Sequence, residues 1–168
     1  SIASGRHPEM VALDAANAAK AAGSSGADVN NVVVEAALAT AKGRSPMQVA
    51  KAVATTLREL GVDDPDVVKY TGEAAAKVAI SEGEFPEMVG TVAASAAKAS
   101  GGSASEIFEA AASGAVLSLP GQPPATVAKT AAAAAKAVGA PPDKVVTLAG
   151  KAAMRVATST GEAPAEAV

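Results

Sequence analysis

The chain has no cysteine and no tryptophan, and it carries one histidine, one tyrosine and two phenylalanines in 168 residues. Without thiols there is no disulfide framework, no thiolate metal site and no cysteine nucleophile. With a single histidine a metal site would need converging carboxylates, and no cluster has that spacing, so neither a metal nor another cofactor is expected. An excess of positive charge is missing too: 14 basic and 17 acidic residues give a net charge of −3. That balance argues against a nucleic-acid partner, which calls for a basic excess. Long apolar runs are also absent. The longest charge-free stretch, 110–128, is cut by Pro120, Gly121, Pro123 and Pro124, so no transmembrane helix is expected. The opening Ser1-Ile2-Ala3-Ser4-Gly5 is not an intact signal peptide, and the compartment stays open.

Alanine fills the place of the missing large side chains, at about a quarter of all positions. Each alanine buries little area, so stability must come from many helices in close approach. These alanines sit in a frame that recurs. Gly5, Gly43, Gly83 and Gly121 are each followed three residues later by a proline (Pro8, Pro46, Pro86, Pro124), and fifteen residues after that by a second glycine (Gly23, Gly61, Gly101, Gly139). A truncated copy begins at Gly161. Internal repetition of this kind decides the architecture before any other reading.

The frames start 38, 40, 38 and 40 residues apart, and placing residues 1–78 over 79–156 gives about 28 identities without a gap. Duplication of a 78-residue, two-unit block explains both observations. The units are 5–42, 43–82, 83–120 and 121–160, with partial units at 1–4 and 161–168. Because both ends cut through a repeat, the chain is expected to be an excerpt of a longer array; an intact mass of about 16 kDa for the natural gene product would refute this.

Each unit reads as two helices. Proline at the first helical position costs no hydrogen bond, and the positions 3, 4, 7, 8 and 11 residues beyond it form one apolar face, as in Val11, Ala12, Ala15, Ala16 and Ala19. The glycine fifteen residues on is a stop signal. A second helix follows, with faces such as Val29, Val32, Val33, Ala36 and Ala37 or Val67, Tyr70, Thr71, Ala74 and Ala75. Asp64 before Pro65 reads as a helix cap, and Ser103 with Glu106 as a capping box. Gly72 and Gly150, matched across the duplication, are expected to mark close helix crossings.

A lone alanine-rich hairpin cannot hide its apolar face, so the expected fold is all-α: an α-solenoid of about four antiparallel helical hairpins. The competing reading is a globular helical bundle. The unit length is close to that of HEAT and armadillo repeats, whose larger consensus residues are missing here, so the likeness is one of architecture only.

Chemistry is scarce. His7 stands at a cap position taken by Ser45, Phe85, Pro123 and Ala163 in the other units, which reads as structural. No catalytic residues are assigned and no enzyme is expected. A basic ladder, Lys20, Arg58, Lys98 and Lys136, recurs near the ends of the first helices and has an ordinary explanation in the helix dipole. Phe85 is expected to fold back on its own helix near Val89, as a hydrophobic staple does. A candidate partner surface comprises Phe108, just off the stripe of its helix and expected to be exposed, with Val116, Leu117 and Leu119, whose apolar character burial against a neighbouring unit would explain equally well. The expected function is a non-catalytic helical-repeat scaffold or linker that makes protein–protein contacts, within a larger assembly. The alternative is a carrier of an apolar small molecule, lipid or pigment, between alanine-lined helices.

Overall fold

The structure is a computed structural model that describes residues 7–160. The partial units at the two ends lie outside the described residues. Within them the chain forms eight helices: α1 Pro8–Ala21, α2 Gly26–Leu38, α3 Pro46–Glu59, α4 Asp64–Ser81, α5 Pro86–Ala99, α6 Ala104–Leu117, α7 Pro124–Ala137 and α8 Pro142–Thr160. Each repeat unit contributes one odd-numbered and one even-numbered helix.

The frame residues act where their chemistry requires. Pro8, Pro46, Pro86 and Pro124 open α1, α3, α5 and α7. Gly61 shows how such a helix ends: at φ 75° it takes a left-handed conformation that a Cβ would strain, and its N–H reaches the Arg58 carbonyl while Val62 N–H reaches that of Leu57. Gly23, Gly101 and Gly139 close the other odd helices with the same pair of bonds. The capping box at α6 is formed, with Ser103 N–H donating to Glu106 Oε2 at 2.7 Å and Glu106 N–H donating to Ser103 Oγ at 3.4 Å. A second box, Ser45 with Gln48, opens α3. At α4 the cap is Asp63 rather than Asp64, which already belongs to the helix, and the Asp63 side chain makes no capping bond.

Helices pack along the chain in a consecutive pattern. Odd helices stack on odd (α1 on α3, α3 on α5, α5 on α7) and even on even, giving two layers. Among the described residues no helix packs against one more than two places away in chain order. That is the contact pattern of a solenoid; a globular bundle would bring distant helices together.

The core is uneven along the array. Units one and two share the largest side chains, with Val29, Val33, Val49, Val53, Leu57, Val67 and Tyr70 in one buried cluster. Around the third unit buried alanines replace them, and the helices close up accordingly. A Cβ on Gly90 would stand 2.6 Å from the Ala111 carbonyl oxygen, and one on Gly114 would stand 2.7 Å from the Ala93 Cβ. Gly72 is also a close crossing, where an added Cβ would lie 3.2 Å from the Ala110 Cβ and 3.3 Å from the Ala93 oxygen.

Gly150 departs from the expectation: a Cβ there would meet nothing within 4 Å. The physical reason is positional. The third unit crosses Gly72, whereas among the described residues no helix lies on the corresponding side of α8. The staple expected at Phe85 is not formed either. Phe85 is the N-cap of α5 and is 77% exposed, while Val89 is buried in the core without it.

Candidate functional site

The two faces of the second–third unit boundary both open into grooves. On the even layer a space of about 400 Å³ lies between α4 and α6, beside their close crossing, and reaches Arg155 of α8. Val68, Ala110, Gly114 and Leu117 give it apolar walls, and Asp66, Glu73, Glu106 and Glu109 set four carboxylates around it against Lys69 and Arg155. On the odd layer a space of about 490 Å³ opens beside the contact of α3 with α5. Ala50, Ala54, Ala96 and Ala99 line it, with Lys51 and Arg58 among its polar residues.

Part of the charge around the first groove is already engaged. Glu109 accepts from Lys151 Nζ at 3.0 Å, and Glu73 pairs with Lys77 at 3.1 Å. Hydrogen bonds from Ser103 hold the Glu106 carboxyl below its ordinary pKa. Lys77 also donates to Glu35 at 2.6 Å, which ties α4 to α2. Burial works against the charge on Lys77, but the bonds to Glu35 and Glu73 outweigh it and its pKa is raised.

The four candidate surface residues do not make one patch. Phe108, Val116 and Leu119 pack from the side onto the core of α7 and α8, so neighbour burial explains much of their apolar character. Leu117, at the end of α6, is 38% exposed and lines the α4–α6 groove, which Val116 also reaches. The basic ladder lies in the last turns of α1, α3, α5 and α7, with all four side chains exposed. Arg58 does more than balance a helix dipole. Its Nη2 donates to the Ser100 carbonyl at 2.7 Å and so caps the end of α5 across a unit boundary. His7 is the exposed N-cap of α1 and makes no side-chain cap bond. Among the described residues no three His, Cys, Asp or Glu side chains converge on a possible metal site, and no helix is long and apolar enough to cross a membrane.

The grooves carry no signal in the sequence, and neither does one buried polar atom beside them. Thr71 is 2% exposed in α4, lines the α3–α5 groove, and its Oγ1 has no hydrogen-bond partner. On α4 alone this threonine falls on the apolar stripe and raises no signal. Thr71→Val keeps the shape and removes the unpaired hydroxyl, so it is expected to raise unfolding stability by about 1 kcal/mol, read from urea denaturation midpoints. A loss of stability would mean that the hydroxyl has a partner in solution.

Comparison with protein-family models, with curated proteins and with solved structures finds no match to this chain.

Proposed function

We propose that the chain is a non-catalytic helical-repeat scaffold that holds a segment of another protein in the α4–α6 groove. The observation that supports this reading is the groove itself, with an apolar wall at Ala110, Val116 and Leu117 and two carboxylates, Asp66 and Glu106, outside the ion pairs that engage Glu73 and Glu109. A solenoid presents such surfaces between rigid neighbours, and the complementary partner is a segment that sets basic residues beside apolar ones. Helix-in-groove binding follows that pattern.

Leu117→Arg tests it. The substitution puts a cation in the groove and suits the end of a helix, so the fold should be unaffected. Native purification at low salt with mass spectrometry identifies the partner, and Leu117→Arg is expected to weaken that contact by at least about tenfold. Retention of the same partner at undiminished affinity would rule the groove out as its site.

A second reading, carriage of an apolar small molecule, is favoured by the α3–α5 groove and its walls of Ala50, Ala54, Ala96 and Ala99. Recovery of the chain alone with an extractable lipid or pigment would favour this reading over the scaffold.

A further inference from the structure

We infer that the outer face of α8 is a docking surface for a second copy of this chain, which seats its α1–α2 hairpin there and so continues the array head to tail. The 78-residue duplication makes the fourth unit a copy of the second and the first unit a copy of the third. A fourth-unit face placed against a first-unit face therefore repeats the internal junction between units two and three.

Burial marks the face. Val146 is 72% exposed, while its counterpart Val68 is 3% exposed because the third unit covers it. Met154 is 55% exposed and its counterpart Ala76 is fully buried. Gly150 keeps the open seat that Gly72 offers to Ala93 and Ala110, and the matching residues of the first unit, Ala15 and Val32, are only half buried.

Charge selects the occupant. At the internal junction Asp66 and Glu73 of α4 line the same groove as Glu106 and Glu109 of α6. By the 78-residue equivalence, the junction between copies sets Lys144 and Lys151 of α8 opposite Asp28 and Asn31 of α2. The four internal carboxylates, set against Lys69 and Arg155, give way to two lysines that face a single carboxylate, Asp28. Lys151 already bridges to Glu109, so Lys144 is the cation that the contact newly engages. Met154 for Ala76, Ala36 for Gly114 and Val32 for Ala110 are each larger, which makes this junction looser than the internal one and its association reversible. A face that meets a different face forms a heterologous contact, and such contacts propagate as open chains.

This inference goes beyond the groove reading and does not rest on it, since Leu117→Arg should leave stacking intact. The test is sedimentation and solution scattering of the full chain and of a chain ended at Thr160. The shorter chain is included because Gly161 and Pro164 repeat the frame that opens α1. In at least one of the two, average mass is expected to rise between roughly 10 µM and 1 mM, with growth along the long axis and weakening in high salt. Gly150→Leu, which has free space in the monomer, and Lys144→Glu are each expected to weaken association by at least about tenfold with the helical content unchanged. Phe85→Ser, on a different exposed site, is expected to keep it. Monomers throughout in both chains would overturn the inference. So would association that survives Gly150→Leu and Lys144→Glu, or that Phe85→Ser abolishes.

Discussion

Replacing Gly90 by alanine is expected to destabilise the protein by roughly 2–3 kcal/mol, although alanine is the better helix former by about 1 kcal/mol. The new Cβ would stand 2.6 Å from the Ala111 carbonyl oxygen and 2.8 Å from the Ala134 Cβ. The first of these is backbone in the middle of α6, so a rotamer change cannot relieve it and α5 must move away from α6. Gly150→Ala is the control. It also lies mid-helix, but with nothing within 4 Å it should gain close to the full propensity difference of about 1 kcal/mol. Denaturation midpoints of the two variants should therefore move in opposite directions. A raised midpoint for Gly90→Ala would show that the α5–α6 crossing is not as close as described.

Leu57→Ala should cost about 2–5 kcal/mol, a large share of the 5–15 kcal/mol typical of a folded domain. Leu57 heads the fully buried side chains by volume and belongs to the cluster with Val33, Val49, Val53 and Tyr70. Its counterpart in the fourth unit is Ala135, which is also fully buried. The same repeat position thus accepts either residue, and the cost arises because the neighbours of Leu57 are sized to leave room for it. Loss should be local, since each unit of a solenoid leans only on its neighbours. Hydrogen exchange is expected to quicken most in α1–α4 and least in α7–α8. A uniform loss of protection along the chain would show that the array unfolds as one cooperative block.

Much of the fold was legible because its signals act within a few residues. A proline at the first helical position, a left-handed glycine at the stop and a serine that caps three residues ahead need no distant partner, so the helix count, the hairpins and the two-layer solenoid follow from the frame. The candidate site was less legible. Phe108, Val116, Leu117 and Leu119 are neighbours in sequence and all apolar, yet packing of α7 and α8 draws three of them toward the core and leaves Leu117 at a groove. Phe85 illustrates the same limit, since a staple requires the side chain to turn back over its helix and this one remains in solvent.

The amino-acid sequence by itself determined the repeat, its 78-residue period, the ends of the odd-numbered helices and the face each helix turns inward, because short-range backbone chemistry and apolar periodicity encode them. Tertiary structure alone decided what the repeat positions became. Gly72 and Gly150 share a place in the repeat, but only Gly72 is crossed by another unit. Arg58 and Lys136 share another, and Arg58 finds the Ser100 carbonyl of the unit beyond it. Distances between units depend on how side-chain sizes sum across an interface, and that sum is not written at any one position.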